Sequence, residues 1–121
     1  MTWTYSQTTG DIRHNGQLIA TGGYSGHGAH KNKPDDEALV AEGPIPRGKW
    51  RMTELYDSDR VGPYAIKLVP VGHDAHGRSA FRLHGDSVKA PGTASNGCII
   101  TRRTVREAIW TSGDRDLEVI R

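Results

Sequence analysis

Asn15 and Gly16 stand between two short strand-type runs, DIRH and QLIA, and no other feature constrains the chain as strongly. A two-residue turn with positive φ at both positions suits Asn-Gly, so the pair specifies a β-hairpin. TWTYS precedes it, alternating Thr with aromatics, and TTG supplies a turn between the two. The same punctuation runs on: the 121 residues include 15 Gly and 6 Pro, above the usual combined share of about 12 %. Only 35 % of residues are hydrophobic. A modest core with extensive loops follows. Residues 25–47 read as loop, with a short helical turn over 35–41. GKWRMTELYD, YAIKLVPVG and SAFRLHG read as three further strands. TRRTVREAIWTSGD reads as a helix that Thr101 caps and Gly113 ends, with Val105, Ile109 and Trp110 toward the core. DLEVIR closes as a last strand. The expectation is one mainly β domain over residues 1–121, with one helix after Cys98.

Charge and patterning exclude several classes. Lys+Arg 16 against Asp+Glu 14 leaves a net charge of only +2. No run of Lys and Arg is interleaved with aromatics, so no nucleic-acid footprint is present. No stretch approaches the roughly 18 apolar residues of a membrane span. MTWTYSQTTG has neither the basic nor the apolar region of a secretory signal peptide. The chain is expected to be made in the cytoplasm as it stands and, if it works elsewhere, to leave by another route. The single cysteine can form no internal disulfide.

That cysteine ends the segment HGDSVKAPGTASNGC, which His84 opens. His84 lies at the end of a predicted strand, and the loop can bring the two together. A free thiol has a pKa of about 8.5, and a neighbouring His⁺ stabilises the thiolate. Gly97 lets backbone approach a substrate, and the N–H groups of Gly97 and Cys98 can face a developing oxyanion. The pattern alone equally admits a buried core thiol and a loop histidine.

The ordered motifs go further. HG at a strand end, then a loop, then S-x-G-C-I resembles the signature of the L,D-transpeptidase catalytic-domain family. GYSGHGAHKNKP, GPIPRG, PVGHDAHGR, FRLHGD and SNGCII together resemble the small L,D-transpeptidase-type effectors of bacterial type VI secretion. The resemblance implies a β-sandwich-like fold with a helix near the cysteine. It also implies Cys98 as nucleophile, His84 as base and no cofactor. Ser95 would orient His84 or shape the loop. Tyr24, His27, His73, Asn96 and Arg82 would line the substrate site. The substrate would be a peptidoglycan stem peptide, cleaved between diaminopimelate and D-alanine. The partners would be a type VI secretion apparatus and a cognate periplasmic immunity protein, with action in the periplasm of a target bacterium. Two positions depart from the broad family: Asn96 stands where a His is usual, and Ile100 where a basic residue is usual. Arg102 and Arg103 are the candidates to replace the latter.

Three rival readings remain at this stage. In papain-like amidases the cysteine precedes the histidine, the reverse of the order here, yet an amidase or endopeptidase of another cysteine class stays open. His27 with His30, and His73 with His76, repeat a spacing of three, and with Cys98 or Asp74 could make a metal-binding module. A wall-binding module without catalysis would leave His84 and Cys98 unexplained.

Overall fold

A computed structural model describes residues 2–121. The strands are β1 (Trp3–Ser6), β2 (Ile12–His14), β3 (Gln17–Ala20), β4 (Tyr24–Ser25), β5 (Gly48–Ser58), β6 (Gly62–Val71), β7 (Phe81–His84), β8 (Ile99–Ile100) and β9 (Asp116–Ile120). One helix, α1 (Arg103–Thr111), lies between β8 and β9. The strands form a single hydrogen-bonded sheet in the order β3-β2-β1-β9-β5-β6-β7-β8-β4. Neighbours run antiparallel except β1 with β9 and β7 with β8. Asn15 and Gly16 make the turn between β2 and β3 with φ of 51° and 84°, as their sequence requires.

Alternation along the strands builds one core. Trp3 and Tyr5 point inward from β1, and Trp50 and Met52 from β5. They join Leu83 of β7, Ile99 of β8 and Val105 and Ile109 of α1. In a flat sheet, the five spacings between β1 and β8 would hold those strands about 24 Å apart. Sharing a core therefore requires the sheet to curl over itself, which produces the sandwich-like assembly with one helix. Burying Val105 and Ile109 contributes about 2 kcal/mol each and seats α1 on β6 and β7.

Two local expectations are corrected. Thr101 does not cap α1: its N–H is still held by the sheet, donating to the His84 carbonyl at 3.1 Å. The helix starts later, with Arg102 in extended conformation at its cap and no side-chain capping bond. Gly113, at φ 78°, does follow the helix end. The helical turn expected over 35–41 is a short 3-10 turn at Pro34–Asp36, because Glu37 is drawn into the hydrogen-bond network described below. Trp110 is half-buried and packs against the core as expected, while Arg106 on the same helix is buried, an arrangement that its charge does not suggest.

Candidate active site

The end of the sheet opposite β3 positions the site. β7 and β8 pair Leu83 with Ile99 and His84 with Ile100, and β4 pairs Tyr24 with Ile100. Leu83 and Ile99 enter the core. Alternation then puts Arg82, His84, Ile100 and Tyr24 on the other face. Cys98 packs there against Tyr24 and Ile100. A cavity of about 390 Å³ opens on this face, and Cys98, His84, Arg82, Asn96, Gly97 and Arg78 are in its wall. Five of the residues singled out in the sequence thus come together.

His84 is 2 % exposed. Its Nδ1 lies 2.8 Å from the Gly85 carbonyl oxygen. A carbonyl only accepts, so Nδ1 carries the proton and Nε2 is left with a lone pair. Burial pushes the imidazole pKa below its ordinary value; the Gly85 bond raises it, and the Arg82 and Arg106 charges lower it further. The ring is therefore neutral near pH 7, so the resting His⁺ expected from sequence is not what the geometry favours.

Burial likewise raises the Cys98 pKa, opposed by hydrogen bonding from Arg82 and by the charges of Arg82 and Arg78. The thiol approaches the Ala80 carbonyl at 3.6 Å. The resting pair is thus neutral thiol and neutral imidazole, with two guanidinium groups ready to stabilise negative charge on sulfur. Arg82 is not a solvent-facing strand arginine: its Nε donates to the Tyr56 hydroxyl, and it borders the cavity.

Backbone bonds shape the loop before Cys98. The Ser95 hydroxyl donates to the Cys98 carbonyl at 2.6 Å and accepts from the N–H of Gly26 at 2.9 Å and of Gly97 at 3.1 Å. It makes no bond to His84, so Ser95 shapes the loop rather than orienting the imidazole. Because the Gly97 N–H is held by Ser95, it is not free for an oxyanion. The Cys98 N–H has no hydrogen bond inside this loop among the described residues. Ser25 adds a clasp, donating to the Gly97 carbonyl at 3.0 Å and accepting from the Ile45 N–H at 2.8 Å.

The other sequence candidates do not line this cavity. The Tyr24 ring is beside Cys98, but its hydroxyl is committed: it donates to Asp86 at 2.6 Å and accepts from the Ala94 N–H at 3.0 Å. Burial and the Asp86 bond push that phenol up to about 12. His27 is exposed and outside the cavity wall. His73 does not meet His84. It accepts from the Ala75 N–H and donates from Nε2 to the Lys49 carbonyl at 2.9 Å, packed edge-on against Trp50. The histidine pairs do not converge on Cys98: His30 bonds Asp36 and His76 bonds Glu37. Among the described residues no group of three or more His, Cys, Asp and Glu is set out to hold a metal ion.

Two residues that the sequence did not mark support the cavity, Arg78 in its wall and Glu37 behind it. Arg78 is 8 % exposed, and its guanidinium donates to the carbonyls of Glu37, Pro44, Gly43 and Asn96. It ties the loop before β5 to the loop before Cys98. Glu37 accepts from Gln7, from Arg47 and from His76, so it anchors the same wall. An arginine between turn residues and a glutamate in a polar loop carry no pattern that separates them from solvated charges.

The sequence matches the Tlde1 domain over residues 19–119. The chain belongs to the Tlde1 domain family. This is the family of type VI secretion L,D-transpeptidase effectors that its ordered motifs resemble. No curated protein matches the sequence. Among solved structures, the chain is similar to an L,D-transpeptidase (Yku) from Stackebrandtia nassauensis, with 13 % identity and a TM-score of 0.59, covering 99 % of this chain and 55 % of that one. It is similar to Bd1075 of Bdellovibrio bacteriovorus, with 17 % identity and a TM-score of 0.63, covering 98 % and 47 %. It is also similar to L,D-transpeptidase 1 of Mycobacterium tuberculosis, with 15 % identity and a TM-score of 0.53, covering 99 % and 61 %. These likenesses establish an L,D-transpeptidase-like fold, and the chain spans about half to three-fifths of the length of those proteins. Among the described residues no helix is long and apolar enough to cross a membrane.

Proposed function

We propose that residues 1–121 act as one catalytic domain, a cysteine enzyme that cleaves the diaminopimelate–D-alanine bond of peptidoglycan tetrapeptide stems. The observation that carries the reading is the state of His84. Its Nδ1 proton is held by the Gly85 carbonyl, which leaves Nε2 with a lone pair, and His84 lines one cavity with the chain's single thiol. Family membership and fold supply the substrate class.

His84 Nε2 takes the thiol proton as Cys98 Sγ bonds to the peptide carbonyl carbon. The Arg82 and Arg78 guanidinium groups favour the sulfur anion during that transfer. The oxyanion accepts from the Cys98 N–H, with Arg82 as the nearby cation. The C–N bond then breaks, and His84 returns its proton to the leaving D-alanine amine. Water hydrolyses the thioester to a tripeptide stem and restores the thiol. A free D-amino acid gives exchange instead, and a second stem gives a crosslink. As a type VI effector, the enzyme is delivered into the periplasm of a neighbouring bacterium, and the producer holds a periplasmic immunity protein.

Incubation with purified tetrapeptide muropeptide, followed by mass spectrometry, tests the reading. The expected products are a tripeptide stem and free D-alanine, absent with Cys98→Ala, which should fold as the parent does. Release of the intact stem from the sugar would make the protein an amidase, and unchanged activity in Cys98→Ala would remove the nucleophile.

A further inference from the structure

A second cavity, of about 380 Å³, adjoins the first. The Tyr24–Ile100–His84 row across β4, β8 and β7 separates them. Cys98 and residues that precede the row along the parallel strands β7 and β8 line the first cavity. Gly85, Asp86, Thr101 and Arg102, which follow the row, line the second. A peptide lying across His84 would therefore have one half on each side.

The second cavity is a cationic cleft. Arg102, Arg103 and Arg106 are in its wall. Arg106 is 6 % exposed. Its Nε donates to the Thr101 carbonyl at 3.1 Å, and its Nη1 to the carbonyls of Pro63 and Tyr64 at 2.9 Å each. Its Nη2 has no partner among the described residues and lies so close to Gly85 that a Cβ there would come within 2.9 Å. Arg103 is shared with Glu107 at 3.4 Å and stacks over Tyr64. Arg102 is exposed and bonds no side chain among the described residues. The one carboxylate in the wall, Asp86, is turned away onto Tyr24 and the N–H groups of Ser87 and Gly92. A buried guanidinium with an unused N–H in such a cleft is matched by a carboxylate oxygen.

We propose that this cleft binds the α-carboxylate of the amino acid that leaves, or enters at, the Cys98 acyl-enzyme. The inference rests on the proposed function. His84 Nε2 must hand its proton to the leaving amine, so that amine lies beside His84 and Cys98, and the rest of the leaving residue extends past the row toward the second cavity. Its carboxylate is one carbon from that amine; Gly85, the neighbour of His84 in sequence, adjoins Arg106 Nη2 and is the point where that carboxylate would meet the cleft. By microscopic reversibility the incoming amino acid of an exchange reaction occupies the same place. Arg106 grips the carboxylate, and Arg102 supplies the outer charge.

D-alanine and D-alaninamide, compared as acceptors in exchange and as titrants of the Cys98→Ala protein followed by NMR, test this. The parent enzyme should prefer the free acid in KM by about tenfold or more, and Arg102→Ala and Arg106→Lys should each lose most of that preference. In the titration, D-alanine should shift the amides of Gly85, Thr101 and Arg102, and D-alaninamide should not. Equal response to acid and amide, or an acid preference that survives both substitutions, would overturn the proposal. Should Arg106→Lys fail to fold, Arg102→Ala and the titration decide. Should no stem peptide be turned over, the proposed function falls, while the titration still decides whether the cleft reads a carboxylate.

Discussion

Gly97→Ala tests the wall of the cavity directly. Gly97 has φ of 135°, and a Cβ there would lie 2.5 Å from Arg78 Nη2 and 3.1 Å from the Phe81 ring. A surface arginine would swing aside, but this one is pinned: Nη1 donates to Pro44, and Nη2 to Gly43 and Asn96. Retreat breaks at least one charge-assisted bond to a buried carbonyl, costing about 1.5–3 kcal/mol. The backbone strain of a non-glycine residue adds about 1–3 kcal/mol. The expected loss is about 2.5–6 kcal/mol, or roughly 10–25 °C in Tm for a chain of this size. Thermal and urea denaturation measure it. Combining the change with Arg78→Ala sharpens the test, because removing the guanidinium makes room for the methyl group. The double variant should then be about 2 kcal/mol more stable than the two single losses sum to. A Gly97→Ala protein that melts within about 3 °C of the parent, or strictly additive losses, would refute the reasoning.

Ser95→Ala leaves the buried N–H groups of Gly26 and Gly97 without their acceptor, so a loss of about 2–4 kcal/mol is expected by urea denaturation; retained stability with lost activity would instead mark Ser95 as part of the chemistry. Glu37 gives a signed acid dependence: burial raises its pKa, but bonds from His76, Gln7 and Arg47 outweigh this and hold it at about 2, below the ordinary 4.5. Its contribution is therefore complete above pH 4.5 and fades as pH falls toward 2. Glu37→Gln should flatten the stability profile across that window, and an unchanged profile would show that other carboxylates set it.

Much of the fold was legible because periodicity and turn chemistry are local. The Asn15-Gly16 hairpin, the β5, β6 and β7 strands and the apolar stripe of α1 all follow from neighbours in sequence. The helix start was not, because a sheet hydrogen bond to the Thr101 N–H overrides a capping preference. His84 and Cys98 were found from one cysteine and ordered motifs, and the structure places both on one cavity. Their charge states could not be read in advance, since burial, the Gly85 carbonyl and the arginines are long-range facts. The family resemblance points to His27 as a site residue, and a hairpin between the strand of His73 and AFRLHG would bring His73 near His84; in the fold His73 bonds the Lys49 carbonyl instead. Arg78 and Arg106 went unseen because their partners are backbone carbonyls, which leave no trace in residue type.

β9 is the last strand in sequence, yet it occupies the middle of the sheet, between β1 and β5. Trp3 pairs with Leu117, near the other end of the sequence. During synthesis, the β1–β3 meander and the β5–β7 meander can form early, but they have no shared edge until residues 116–120 arrive and bridge them. Loop closure over nearly the whole chain makes that docking late and slow. Until then the edges of β1 and β5 are open and the core is incomplete. The cavity residues sit on the β5–β7 side, so their rigidity depends on a strand that pairs with β1 and β5 and contributes nothing to the cavity wall. Removal of residues 116–121 is expected to leave a chain with strand content but no cooperative unfolding transition.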